Sequence, residues 1–92
     1  MKNIQLELYT RPTCSDCQKG KDFLAKHQIS YINHDLSVDP DKEKNLRKIT
    51  GTRMVPTFVF KDKSIRGRVS KPKVLIGFEN NVDEIKSILQ LD

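Results

Sequence analysis

The sequence predicts an α/β fold with the element order β-α-β-α-β-β-α, a four-stranded mixed sheet flanked by three helices. Three observations predict it. Apolar residues alternate with polar ones from Ile4 to Tyr9, and the spacing becomes helical from Cys14. Two short β-branched and aromatic runs, Thr57 to Phe60 and Val74 to Ile76, then follow one another with no helix between them. The 92 residues suit one domain, expected over 1–92, large enough for a single core and too small for two.

Taken in order, the first strand ends at Arg11-Pro12-Thr13. In the helix that follows, Cys17, Gly20, Phe23, Leu24 and His27 fall on one side of a 3.6-residue repeat. Thr13 with Asp16 three residues on has the form of a capping box and places the helix start at Cys14. A second strand fits Ser30 to Leu36. Asp39-Pro40 reads as an N-cap and a first-turn proline, opening a polar helix that carries Leu46 and Ile49 and stops at Gly51. Asn81 with Glu84 resembles another cap, ahead of Val82, Ile85, Ile88 and Leu89 at helical spacing. Strands separated by a helix are expected to run parallel with a right-handed crossover, and the last two to form an antiparallel hairpin.

The formal net charge is +5, from 17 basic and 12 acidic residues. All of the excess lies between Lys61 and Lys73, where Lys61, Lys63, Arg66, Arg68, Lys71 and Lys73 face one acid, Asp62; elsewhere the balance is zero. This segment joins the last two strands and has no aromatic residue for base stacking, which argues against a nucleic-acid partner. At strand rise, Lys63 to Lys71 are expected on the order of 15 Å or more from Cys14, too far for a substrate clamp. No run approaches the roughly 18 apolar residues of a membrane helix, and the alternating start lacks the apolar stretch of a signal peptide. A cytoplasmic monomer without membrane attachment is expected.

The chemistry centres on Cys14-Ser15-Asp16-Cys17. Two cysteines three apart in a first helical turn can close a disulfide. Cys14 also sits where unpaired N–H groups and the positive helix end favour a thiolate, the reactive form. Cys14 would attack a substrate disulfide, and Cys17, deeper in the helix, would resolve the mixed disulfide. The alternatives are half a zinc site or inert core cysteines. Zinc takes about four ligands, and His27 and His34 have no ligand-like spacing to the pair, so no metal is expected. Asp16 between the cysteines raises the thiol pKa and Arg11 lowers it, with the sign of the sum open. His27 suits a helix C-terminus, and Phe58 and Phe60 suit the core on one face of the hairpin.

Tyr9-Thr10-Arg11-Pro12-Thr13-Cys14-Ser15-Asp16-Cys17, then Arg53-Met54-Val55-Pro56-Thr57, then Gly77-Phe78, resemble the glutaredoxin branch of the thioredoxin fold in order and spacing. The resemblance covers essentially the whole chain and implies a thiol–disulfide oxidoreductase without a tightly bound cofactor. It implies a cis peptide before Pro56, which would face the nucleophilic cysteine, and a Val55 backbone that pairs with substrate like an added strand. With glutathione as co-substrate, it implies Arg11 and Arg53 near the carboxylates and the backbone of Phe78 and Glu79 at the γ-glutamyl end, with Gly77 in the same binding set; Glu79 could instead be a first-turn helix acid with no ligand. Phe78 could also offer an apolar rim to a docking protein.

The sequence departs from typical glutathione-using members, which carry Cys-Pro-Tyr-Cys, Thr-Val-Pro and a Gly-Gly pair. It has Ser15-Asp16, Met54 and a single glycine in Ile76-Gly77-Phe78-Glu79. The Tyr-Thr-Arg opening and Gly-Phe end look equally like small redoxins that take electrons from thioredoxin reductase and feed ribonucleotide reductase. Disulfide-containing proteins are the expected partners, with glutathione or thioredoxin reductase as reductant. Two other classes share these features: iron–sulfur carriers, and redox-sensing regulators of thioredoxin-like fold that bind RNA polymerase. The regulators are longer and insert a helical subdomain after the second strand, where only about 20 residues separate Leu36 from Pro56 here.

Overall fold

A computed structural model describes residues 4–62 and 72–91. The strands are β1 (Ile4–Thr10), β2 (Ile32–Asp35), β3 (Thr57–Asp62) and β4 (Lys73–Ile76). The helices are α1 (Ser15–Lys26), α2 (Asp41–Thr50) and α3 (Val82–Ile88), the last preceded by a one-turn 3-10 helix, Glu79–Asn81. The tip of the basic segment, 63–71, lies outside the described residues, and with it the expected separation from Cys14.

The sheet order is β2-β1-β3-β4. β1 and β2 run parallel, while β1–β3 and β3–β4 are antiparallel pairs. The mixed four-stranded sheet and the final hairpin agree with expectation; parallel running across α2 does not. Thr10 pairs with Asp35 at the end of β2, and Tyr9 with Thr57 at the start of β3. The crossover through α2 therefore begins and finishes at the same end of the sheet, and β3 runs against both earlier strands. The parallel rule applies when a crossover returns the chain to the opposite end, and here β3 starts at the end where β2 stops.

Strand alternation sorts the core. Leu6 and Leu8 face α1 and α3, packing with Leu24, Phe58, Phe60, Leu75, Phe78, Ile85 and Leu89. Tyr9 and Val59 face the other way, packing with Leu36 and Leu46 under α2. Phe58 and Phe60 do share one face, with ring centroids 6.3 Å apart. Gly20 lets α1 lie directly on this layer: a Cβ there would stand 3.1 Å from Phe58 Cζ. Of the two apolar residues α2 carries, Leu46 is buried and Ile49 is exposed.

Three caps differ from expectation. Pro40, not Asp39, is the N-cap of α2, which begins at Asp41, although the Asp39 carboxylate still accepts the Asp41 N–H at 3.2 Å. Helix α1 begins at Ser15 with Cys14 as N-cap, its sulfur accepting the Cys17 N–H at 3.1 Å, so the sulfur takes the place expected of Thr13. Asn81 makes no side-chain cap for α3. Its amide donates backwards to the carbonyls of Ile76 (2.7 Å) and Gly77 (3.0 Å), because the intervening 3-10 turn places it beside the end of β4.

Candidate active site

β1 delivers Arg11 to Cys14 to the end of the sheet where β3 begins and β4 finishes. A turn closed by Cys14 N–H to the Arg11 carbonyl, 3.2 Å, redirects the chain into α1. Cys14 and Cys17 form a disulfide with Cα atoms 5.2 Å apart. Cys14 is half-buried at the rim; Cys17 is 1% exposed, held in the core by the buried face of α1. The asymmetry follows from helix geometry, since residues three apart stack along one face and the N-terminal one stands at the open end.

Opposite Cys14 lies the loop before β3. The Val55–Pro56 peptide is cis and Pro56 is fully buried. The Val55 carbonyl oxygen is 3.8 Å from Cys14 Sγ. Thr57, also fully buried, donates its hydroxyl to the Met54 carbonyl at 2.9 Å and fixes the loop's shape. The Met54 side chain is left 61% exposed and Arg53 is exposed. From β4, Gly77 N–H donates to the Pro56 carbonyl at 2.7 Å. Gly77 adopts φ +95°, a conformation L side chains rarely take, so the single retained glycine has a backbone reason.

Arg11, Val55, Pro56, Gly77, Phe78 and Glu79 are thus brought to the same end of the sheet as the cysteines. Their side chains are not all available there. Phe78 is buried, its ring packed 5.3 Å from Phe23 and 6.2 Å from Phe58 between centroids, which corrects the expectation of an apolar rim. Its backbone alone faces the site. Glu79 pairs with Lys19 at 2.6 Å, and Arg11 pairs with Glu43 of α2. Arg11 holds the Glu43 carboxyl below the usual range, against desolvation, with further help from Arg47 and Arg53.

Two site contacts were not read from the sequence. Glu43 carries no signal beyond being an acid in the first turn of α2, 32 residues from Arg11. Asp16 was read as a local cap, yet its carboxylate accepts from Phe78 N–H at 2.7 Å and from Glu79 N–H at 3.3 Å. His27 caps α1 and packs on Phe23, and His34 donates to Glu7 from β2; neither reaches the cysteines. Among the described residues, no group of three or more His, Cys, Asp or Glu could hold a metal ion. No described helix is long and apolar enough to cross a membrane.

Residues 6–65 match the family model described as Glutaredoxin. The chain belongs to the glutaredoxin family. Its structure superimposes on that of a mutant of the thioredoxin-like protein BC3987 with a TM-score of 0.73 and 26% identity, covering all of both chains. The glutaredoxin grx-1 from Archaeoglobus fulgidus gives a TM-score of 0.70 at 15% identity, over 96% of this chain and 88% of that one, a likeness of fold. Among curated proteins, the global transcriptional regulator Spx of Streptococcus pneumoniae is 32% identical over 44 residues, 48% of this chain. Spx 1 of Lactococcus lactis is 30% identical over 44 residues, again 48% of this chain and 34% of that one. The chain spans about a third of the length of the curated relatives it matches.

Proposed function

We propose that this chain is a dithiol thiol–disulfide oxidoreductase working through Cys14 and Cys17 as a single domain over 1–92. The observation that carries the reading is the asymmetric pair: a half-buried cysteine at a helix N-cap bonded to a buried one a turn deeper. The Cys14 thiolate attacks one sulfur of a substrate disulfide, and the other sulfur leaves as a thiolate that takes up a proton. Cys17 then gives up its proton and attacks Cys14 Sγ, releasing the second substrate thiol and leaving the Cys14–Cys17 disulfide. Two electrons pass from the pair to the substrate. The Cys17 N–H directed at Cys14 Sγ stabilises negative charge on that sulfur.

The substrates are protein disulfides or glutathione mixed disulfides, their backbone lying along Val55 beside the cis Pro56. Arg11 and Arg53, with the backbone of Gly77, Phe78 and Glu79, form the surrounding contact surface. The reductant is glutathione or a thioredoxin reductase, and ribonucleotide reductase is an acceptor in the second case. The protein acts as a cytoplasmic monomer in cell redox homeostasis and electron transport, with no tightly bound cofactor. A coupled assay tests this: NADPH consumption with glutathione plus its reductase, and separately with thioredoxin reductase, using a small mixed disulfide and a protein disulfide as acceptors. Turnover in at least one arm is expected; activity in neither sinks the enzyme reading.

The curated relatives favour a second reading, a redox-sensing regulator that switches on the same disulfide. It predicts reversible oxidation of the pair with no sustained turnover in either arm.

A further inference from the structure

Two of the sites around Cys14 able to receive an acid from outside, the Phe78 and Glu79 N–H groups and Arg11, already hold acids of the chain itself, while Arg53 stays exposed. Phe78 N–H and Glu79 N–H both point at the Asp16 carboxylate, at 2.7 and 3.3 Å, and Asp16 lies between the two cysteines. Arg11, three residues before Cys14, is engaged by Glu43. The two acids come from different helices and accept from different donor groups, so the arrangement is repeated rather than incidental. We propose that Asp16, supported by Glu43, is a specificity-determining residue that fills the carboxylate-receiving positions beside the redox pair. Cys14 is thereby directed to disulfides within protein chains and away from small disulfides bearing free carboxylates, oxidised glutathione among them.

The inference rests on the oxidoreductase reading above and selects its substrate class. An intramolecular carboxylate competes at an effective concentration in the millimolar range or higher. Displacing it would leave a second negative charge beside the incoming one. A protein substrate needs neither position: the main chain of Val55 and the exposed Met54 side chain offer it neutral contact.

The test uses the full chain, reduced with dithiothreitol and desalted, so that each disulfide consumed oxidises one Cys14–Cys17 pair and releases two thiols. Rate constants are compared for oxidised glutathione and for bis(2-hydroxyethyl) disulfide, which carries no carboxylate. Their ratio cancels any change in Cys14 reactivity common to both. Wild type should favour the hydroxyethyl disulfide, and Asp16→Ala should narrow the ratio by roughly tenfold. Asp16→Asn, which keeps one acceptor, should narrow it less and guards against misfolding of the alanine variant.

Titration with S-methylglutathione, which cannot react, separates an opened site from a general charge effect. In Asp16→Ala the amide resonances of Phe78 and Glu79 should shift saturably; in wild type they should not. An unchanged ratio in a folded variant, or saturable shifts of those amides in wild type, overturns the proposal. Failure of wild type to reduce either disulfide would instead strike the oxidoreductase reading, and this proposal with it.

Discussion

On the face covered by α1 and α3, nine residues from β1, α1, β3, β4, α3 and their flanks form a continuous apolar layer around Phe58. On the face covered by α2 the corresponding cluster has four members, Tyr9, Leu36, Leu46 and Val59. Beside the smaller cluster lies a charged group: Glu7 accepts from His34 Nε2 and Lys61 Nζ, each at 2.7 Å. The contrast explains the division of labour at the site. The redox helix is anchored on the deep layer, through Gly20, Leu24 and the buried Cys17, and so holds the sulfur atoms in place. The thin face contributes an adjustable surface element, the Glu43 that engages Arg11.

The contrast is broken or sharpened by substitutions on each side. Phe58→Ala should cost roughly 3 to 5 kcal/mol in urea unfolding, since it empties the middle of the deep layer. Leu46→Ala, removing the sole buried residue of α2, should cost about 2 to 3 kcal/mol, at the lower end for a leucine because few neighbours close around it. A larger loss for Leu46→Ala than for Phe58→Ala would reverse the assignment of the two faces.

Glu7→Gln should have a smaller effect, about 1 kcal/mol at neutral pH, with a distinctive pH profile. Burial pushes the Glu7 carboxyl up, but the hydrogen bonds from Lys61 and His34 outweigh it, and the net direction is down from 4.5. Near that pH the unfolded chain therefore binds more protons than the folded one. The stability from this group is complete above about pH 4.5 and is lost as pH falls through the folded value. The urea midpoint of wild type should drop on the acid side, and that limb should be shallower in Glu7→Gln. Equal slopes would remove Glu7 from the account. The smallest expected effect is at the basic segment: neutralising Arg66, Arg68 and Lys71 together should leave the reduction rate of a small disulfide unchanged. A severalfold loss would place that charge in the site.

Most of the fold was legible because its signals are local. The alternation of Leu6, Glu7, Leu8 and Tyr9 is carried directly into which face each residue occupies, and Cys-x-x-Cys at a strand–helix junction announces the chemistry. The direction of β3 was not legible, since it depends on where the 51–56 stretch returns the chain and not on any periodicity. The partners of Asp16 and Arg11 were hidden for the same reason. A carboxylate near a helix start looks like a local cap in sequence, and only the fold brings Phe78, 62 residues away, to accept that role instead. The capping bonds of α1 and α3 were hidden similarly, Cys14 capping with sulfur and Asn81 turning back to β4.

The central claim is that Cys14 receives the substrate and Cys17 resolves it. The most direct measurement is mass analysis after mixing Cys17→Ser with bis(2-hydroxyethyl) disulfide, followed by peptide mapping, with Cys14→Ser treated in parallel. The account predicts a stable adduct of one hydroxyethylthio group on Cys14 in the first variant and at most slow labelling of the buried Cys17 in the second. Equal labelling of the two variants, or labelling of Cys14→Ser alone, would contradict it.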